Sequence, residues 1–285
     1  GSAMKENLAG IEDYTRIGSL LQPEQIVKYG ELTLRENQIA YAEPSFFRLF
    51  DFELLKGDKK TCLSMPGQVV ITERIASKYF KDEDPIGKIF IFTGAYDKIS
   101  CEVTGVMKEM PSNSHIHYSF LISYKSLPKY MQEYWYKHEA YTYVLLDSPE
   151  RKAEIEREFP VMAEKYKTDE ALKNKTWGVS LIPLADIHLT PQVGYEAETK
   201  GNRSSMIALI FAAIAILAIA WINYITLTVA RSMERAKEVG VRRVVGAFRK
   251  QLIHQFLFEA LVMNLIAFVL AVGLIELVLP YFNQL

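Results

Sequence analysis

The chain has 285 residues, of which 49% are hydrophobic and 24% are charged, and its formal net charge is -1. This composition excludes a disordered chain, and the 2 cysteines exclude a disulfide-dense miniprotein. Two long apolar segments near the C-terminus also exclude a wholly soluble protein.

The N-terminal region is predicted to be a mixed α+β domain over residues 5–203, after a segment, 1–4, that resembles a cloning scar. Residues 68–72 form a β-branched run that predicts a strand. Residues 73–80 follow with apolar side chains at helical spacing, which predicts a helix. A Pro-Ile-Gly turn then precedes two predicted strands, at 88–93 and 100–107.

A second α+β unit is predicted further along the domain. Residues 140–146 predict a strand, the charged segment 149–173 predicts a helix, and 177–183 predicts another strand. The helical stripe consists of Ile155, Phe159, Met162 and Tyr166. Pro160 lies inside it and is expected to kink or end the helix. Two subdomains are therefore expected.

Candidate catalytic and metal-binding residues are few. His115 and His117 alternate and would share one face of a strand, but two ligands do not make a metal site, and His138 and His188 are distant in sequence. The sequence contains neither a phosphate-binding P-loop motif nor a Gly-x-Ser-x-Gly elbow. We therefore expect no metal, no bound cofactor and no catalytic activity from this chain.

The two cysteines, Cys62 and Cys101, leave two alternatives open. They could pair in an oxidising compartment, or they could be isolated buried thiols. Sequence alone gives no geometry that decides between them.

Two segments, 206–229 and 256–279, are predicted to cross a membrane, since twenty or more apolar residues in a helix cover roughly 30 Å of hydrocarbon. Polar side chains interrupt them, among them Asn223, Glu259 and Asn264. Polar groups inside a bilayer usually face another helix, so helix packing is the expected role of all three.

The loop between the spans, 230–255, carries seven basic side chains against two acidic ones. Short loops rich in Lys and Arg stay in the cytoplasm, which places the 5–203 domain outside the bacterial cytoplasmic (inner) membrane. A domain of that size needs an earlier span or a signal to cross, so the chain is expected to be a piece of a longer multi-pass protein. A basic segment held between two spans lies at the membrane surface, so nucleic acid is not an expected partner.

The loop itself has an apolar stripe typical of an amphipathic helix. Gly240 and Gly246 are expected to break the helix and leave a short, separately oriented helix between them. The physical pattern leaves two roles open. One role is that of a helix that rests on anionic membrane lipid, and the other is that of a helix that docks a cytoplasmic protein.

Two groups of motifs resemble known families. The loop sequence ERAKEVGVRRVVGA at 234–247, followed by QFLFEA at 255–260, is similar to the FtsX-like permease domain of ABC transporters. The segments AEPSFFRLFDFELLKGD at 42–58, ITERIASKYF at 71–80 and EDPIGK at 83–88 resemble the MacB-like periplasmic core domain. Together the motifs extend over most of the chain.

The resemblance implies a division into a periplasmic core domain, with an inserted subdomain at about 54–123, and part of a permease domain at 204–285. It implies that the loop is a coupling helix seated on a cytoplasmic ABC ATPase subunit, which would bind ATP and Mg. The residues that it assigns to coupling are Glu234, Arg235, Glu238, Val239, Gly240, Arg242, Arg243, Gly246 and Ala247. It also implies a second permease half or a homodimer, and a periplasmic or outer-membrane partner.

Three functions follow as hypotheses. The first is an ABC permease subunit that relays ATP-driven motion to its outer domain, for export or extraction of peptide-like or amphiphilic cargo. The second is a non-transporting FtsX-like regulator of an extracytoplasmic cell-wall enzyme. The third is a membrane-anchored ligand sensor with no ATPase.

Overall fold

The computed structural model describes the chain except for residues 19–23, 95–97, 112, 133–134, 136–139, 168–173, 188–202, 247 and 283–285, and except for the side chains of residues 203, 205, 234 and 282. It divides into two compact units, Gly1–Arg203 and Ser204–Leu285.

The first unit is built on one mixed sheet. Its strands are β1 (Ile11–Gly18), β2 (Glu24–Tyr29), β3 (Leu32–Asn37), β4 (Ile39–Ala42), β5 (Leu54–Lys56), β6 (Gln68–Thr72), β7 (Ile89–Thr93), β8 (Lys98–Met107), β9 (Phe120–Ser123) and β10 (Tyr141–Leu146). The order across the sheet is β10-β1-β4-β9-β6-β8-β7-β2-β3, and β5 also pairs with β8. The neighbours β4 and β9 are parallel, as are β6 and β8, and the remaining pairs are antiparallel.

Helices flank this sheet. They are α1 (Ser2–Asn7), α2 (Phe46–Leu49), α3 (Glu73–Phe80), α4 (Lys129–Gln132) and α5 (Arg151–Glu164), with two 3-10 turns at Tyr124–Ser126 and Leu184–Asp186. The α+β class predicted from the sequence is confirmed, as are the strands at 68–72, 88–93, 100–107 and 140–146 to within two residues at either end.

The central strand β6 shows why its sequence is a continuous apolar run. Val69 and Ile71 belong to one buried cluster, while Val70 belongs to another cluster with Phe46 and Leu121. Successive side chains of a strand point to opposite faces, so both faces of the sheet are covered at this point. The predicted helix follows directly, because the Thr72 hydroxyl accepts a hydrogen bond from the Ile75 amide and caps α3.

The position of the β2–β3 hairpin differs from the expected division of the domain. The resemblance implies an inserted segment at about 54–123, which leaves residues 24–37 outside it. Instead β2 pairs with β7, so residues 24–37 extend the sheet on the side of the inserted segment. The pairing is long-range, and neither the hydrophobic pattern nor the turn chemistry of the hairpin encodes its partner strand.

The structure contradicts the expectation that Pro160 ends α5 and the strand expected at 177–183, whereas a kink at Pro160 stays a prediction. The helix runs through Pro160 to Glu164, because the buried side chain of Met162 packs its last turn into a third buried cluster. Residues 177–183 are not a strand. The backbone amide of Leu181 donates to the Glu156 carboxylate over 2.7 Å instead of joining a ladder. Side-chain packing on α5 therefore replaces sheet pairing in this segment.

The second unit consists of two long helices, α6 (Arg203–Val244) and α7 (Arg249–Phe282). Each contains a segment long and apolar enough to cross a membrane, at Met206–Met233 and Arg249–Tyr281. The two predicted spans are therefore confirmed as apolar helices. The basic segment 230–255 is not a separate element, because α6 continues through it as far as residue 244 and α7 begins at residue 249.

Candidate functional site

The sequence places most candidate residues where α6 ends and α7 begins. Of the coupling residues that the motif predicts, eight lie in α6 or directly after it, and Ala247 lies outside the described residues. Glu234 lies in α6, but its side chain is outside the part of the chain that the structure describes. Arg243 is exposed and Val239 is half-buried.

Gly246 ends α6. Its φ of +98° lies in the left-handed region that favours glycine. The amide of Gly246 bonds the carbonyl of Arg243 over 3.1 Å, and the amide of Val245 bonds the carbonyl of Val241 over 3.2 Å. These bonds satisfy carbonyls that the last helical turn would otherwise leave free.

Gly240, in contrast, lies inside the continuous helix α6. The expectation that it breaks the helix and leaves a short helix before Gly246 is therefore wrong. A helix interior tolerates glycine at a cost of about 1 kcal/mol relative to alanine, and the helical hydrogen bonds continue on both sides. A Cβ placed on Gly240 would meet no atom within 4 Å, so no close backbone approach requires glycine at this position.

The start of α7 is capped by its own sequence. The amide of Phe248 donates to the side-chain oxygen of Gln251 over 3.3 Å, which is the backward bond of a capping box. Val245 and Gly246 therefore complete the last turn of α6, and the side chain of Gln251 caps the first turn of α7. The result is a tight helical hairpin.

An ion pair and a hydrogen bond join the two helices close to this turn. Nη2 of Arg235 lies 2.6 Å from Oε1 of Glu259, and the guanidinium carbon lies 5.3 Å from the centre of the Phe256 ring. Nη1 of Arg242 donates to Oε1 of Gln255 over 2.8 Å, while its Nη2 pairs with Glu238 over 2.6 Å. We call these residues the hairpin clasp: Arg235, Glu238, Arg242, Gln255, Phe256 and Glu259.

Sequence reasoning assigned the clasp residues to two separate roles. Arg235 and Arg242 were expected to contact a partner, whereas Glu259 was expected to lie inside the membrane. Gln255 was not singled out, although its position one turn before Glu259 is the signal that links the two. Leu252 is the one buried side chain of the second unit among its described residues, and it lies within the same stretch of α7.

Apolar side chains are exposed at the end of the hairpin. Val244 is 89% exposed, Val245 is 82% exposed and Phe248 is 74% exposed. We call these three residues the apolar tip. Sequence reasoning missed it because the surrounding basic residues dominate the composition of the loop. A cluster of exposed apolar side chains rimmed by charge is typical of a surface that binds a protein or a membrane.

The other intramembrane polar residues are not brought together. Asn223 and Asn264 are both exposed on their helices. Neither makes a hydrogen bond among the described residues. Their expected role in helix packing stays a prediction.

The candidate metal ligands of the first unit do not form a metal site among its described residues. Nε2 of His115 lies 3.1 Å from the hydroxyl of Tyr143, beneath the aromatic cluster around Phe50. His138 and His188 lie outside the described residues. Within the described part of the chain, no group of three or more His, Cys, Asp or Glu side chains converges as metal ligands would.

Cys62 and Cys101 are free and buried, so the alternative of isolated thiols is the one observed. They belong to different apolar clusters. Burial raises the pKa of Cys62 to about 11 and that of Cys101 to about 12. Both are therefore neutral, unreactive thiols near neutral pH.

Comparisons with known proteins agree with this architecture. Residues 2–160 match the MacB-like periplasmic core domain, and residues 210–285 match the FtsX-like permease C-terminal family. The macrolide export ATP-binding/permease protein MacB of Neisseria meningitidis is 25% identical over 239 residues, which are 83% of this chain and 33% of the relative. The protein of that name from Rhodopseudomonas palustris is 28% identical over 225 residues, 75% of this chain and 31% of the relative.

The chain thus spans about a third of the length of these relatives. A solved domain of a putative permease protein from Porphyromonas gingivalis superposes with a TM-score of 0.52 at 23% identity, covering 60% of this chain and 71% of that one. This likeness supports the fold of the first unit. On the matches to both halves of the chain, the protein belongs to the MacB-like, FtsX-like permease family of ABC transporters.

Proposed function

We propose that this chain is the permease part of an ABC transporter in the bacterial inner membrane, and that it relays ATP-driven motion from a cytoplasmic ATPase to its extracytoplasmic domain. The observation that carries the proposal is the unbroken helix α6. It extends for 42 residues, roughly 63 Å, which is about twice the thickness of the hydrocarbon core. A single helix therefore connects the membrane span to the apolar tip.

The charges of the hairpin favour the cytoplasm as the side on which the ATPase acts. Basic side chains gather where α6 ends and α7 begins, and segments of this kind stay in the cytoplasm. The domain before α6 then lies on the extracytoplasmic side, as the periplasmic core domain of the family does. A push on the hairpin would travel along α6 because its hydrogen-bond ladder has no break before Gly246.

The partner surface is the apolar tip together with exposed Arg243. Burial of apolar area would provide the stabilisation, and the guanidinium would fix the orientation of the docked hairpin. ATP and Mg would bind to the ATPase and not to this chain, whose sequence has no P-loop. The curated relatives are named ATP-binding/permease proteins, so a fused ATPase is the alternative to a separate subunit.

The class of cargo is part of the same proposal. We infer export or extraction of peptide-like or amphiphilic cargo, with the extracytoplasmic domain pushing on cargo or on a periplasmic or outer-membrane partner. A second permease half or a second copy would complete the transporter. Membrane lipid would surround the spans, since Met206–Met233 and Arg249–Tyr281 are apolar enough to cross a membrane.

The test is purification of the intact permease with the ATPase encoded beside it. The first variant combines Arg243→Glu with Val244→Asp, which changes one charge and one apolar side chain at the tip. The matched control combines Lys237→Glu with Ala236→Asp, the same kinds of change two helical turns earlier on exposed positions. We expect the tip variant to lose ATPase association and the control to retain it.

Four outcomes would redirect the proposal. Equal association of both variants would remove the tip from the docking surface. ATP hydrolysis by the permease alone would place the ATPase on the same chain. No association of the wild-type protein with any ATPase would favour the anchored sensor, and a variant that changes wall cleavage without changing export would favour the cell-wall regulator.

A further inference from the structure

We infer that the hairpin clasp makes the two spanning helices move as one body, so that a push on the tip reaches both spans. The inference deepens the proposed function and rests on it, but it concerns different residues. The tip contacts the partner, whereas the clasp residues contact one another. Arg235 and Glu259 are on this view positioning residues, not docking residues.

The contacts of Arg235 carry the first step. Its guanidinium bonds the carboxylate of Glu259 over 2.6 Å, and the two residues are 24 positions apart on different helices. The same guanidinium lies over the ring of Phe256, 5.3 Å from the ring centre. One side chain of α6 is therefore held at two points on α7, three residues apart along that helix.

Arg242 provides a second contact between the helices. It bonds Gln255 on α7 over 2.8 Å and is held in place by Glu238, one turn earlier on its own helix, over 2.6 Å. Residues 235 and 242 are two helical turns apart. Two contacts separated along the helix axis resist both splaying and sliding of the helices, whereas a single contact would act only as a hinge.

The environment of Glu259 gives an independent reason for the pairing. Glu259 lies in α7, within the segment Arg249–Tyr281 that is apolar enough to cross a membrane. An unpaired carboxylate there is costly, and pairing with a cation reduces the cost. Opening the hairpin would separate the pair at the membrane boundary, so the membrane itself favours the closed hairpin.

The experiment measures the helix spacing directly. Cysteines replace the exposed residues Ser232 on α6 and His254 on α7 and carry spin labels. The natural thiols of Cys62 and Cys101 are buried, so labelling in the folded protein is selective. The distance distribution between the labels is recorded for the intact permease in lipid nanodiscs, with and without the ATPase.

The variants form a charge-exchange cycle: Arg235→Glu, Glu259→Arg, and both together. We expect each single variant to broaden the distance distribution and to lower ATP-driven outer-domain motion roughly tenfold, while ATPase association is retained. The double variant should restore a narrow distribution and most of the activity. Lys237→Glu makes the same charge change at an exposed residue with no ion pair among the described residues, and it should leave the distribution narrow.

An unchanged distance distribution in Arg235→Glu would overturn the clasp. So would loss of ATPase association in Arg235→Glu that Glu259→Arg does not restore, because Arg235 would then contact the partner itself. Failure of the proposed function looks different. In that case the single variants still broaden the distribution, but the wild-type protein neither associates with an ATPase nor responds to ATP.

Discussion

The hydroxyl of Tyr79 donates a hydrogen bond to the buried carboxylate of Glu36, with 2.8 Å between the two oxygens. The ammonium of Lys78 bonds the same carboxylate oxygen over 2.6 Å. Glu36 lies on the edge strand β3, and Tyr79 lies on α3, 43 residues later. This contact helps to explain why the β2–β3 hairpin lies with the segment around 54–123 and not with 140–183.

Removal of that carboxylate should destabilise the first unit. We expect Glu36→Ala to lower the free energy of unfolding by about 1–3 kcal/mol, because the Tyr79 hydroxyl loses its buried partner. Tyr79→Phe should cost about 1 kcal/mol, since Lys78 still satisfies the carboxylate. Thermal unfolding of the detergent-solubilised protein, followed by near-ultraviolet circular dichroism, measures both. Glu31→Ala, at an exposed turn, is the control, and equal effects of Glu36→Ala and Glu31→Ala would contradict the prediction.

The buried thiols predict a pH dependence. Burial raises their pKa from 9.0 to about 11 for Cys62 and about 12 for Cys101, so the folded state keeps protons that the unfolded chain releases. The folded state binds more protons between these values, and stability therefore falls as pH rises from 9 toward 11 and 12. Below pH 9 the thiols are neutral in both states and contribute no slope.

Unfolding midpoints recorded from about pH 8 to about pH 10.5 measure this slope. The double variant Cys62→Ala, Cys101→Ala should show a shallower fall in midpoint. Some slope should remain, because burial also raises the pKa of Tyr79 and of Tyr143. Identical slopes for the variant and the wild-type protein would show that the thiols do not contribute.

Gly246→Ala tests the end of α6. The position has φ +98°, and an L-residue there costs about 1–2 kcal/mol. A Cβ would meet no atom within 4 Å, so the cost comes from the backbone conformation alone. We expect faster hydrogen exchange at residues 243–246 and weaker ATPase coupling with normal membrane insertion. Gly246→Asn, which adopts this conformation more readily, should restore part of the coupling.

Gly240 offers the opposite test. Gly240→Ala should be neutral or stabilising by about 0.5–1 kcal/mol, because the residue lies inside a helix with open space around it. Gly240→Pro should uncouple ATP hydrolysis from outer-domain motion while membrane insertion continues, since proline kinks a helix interior at a cost of about 3 kcal/mol or more. ATP hydrolysis and spin-label distances in nanodiscs distinguish the two. Full coupling in Gly240→Pro would mean that α6 does not act as a continuous lever.

The sequence alone determined the features that depend on neighbouring residues. The apolar spans around Met206–Met233 and Arg249–Tyr281, the strand–helix unit at 68–80 and the stripe of α5 follow from periodicity and capping, which act over a few residues. The motif at 234–247 indicated the family because it is a contiguous run of residues. The side of the membrane followed from local charge alone and stays a prediction.

Only the tertiary structure decided which distant segments meet. The pairing of β2 with β7, the contact of Leu181 with α5 and the free state of Cys62 and Cys101 depend on contacts far apart in sequence. The sequence contains two glycines in the loop, but the backbone conformation makes only Gly246 the end of the helix. Likewise, Arg235 and Glu259 were assigned separate roles until the hairpin brought their charges to 2.6 Å. Periodicity specifies the face on which a side chain lies, whereas its partner depends on how the whole chain packs.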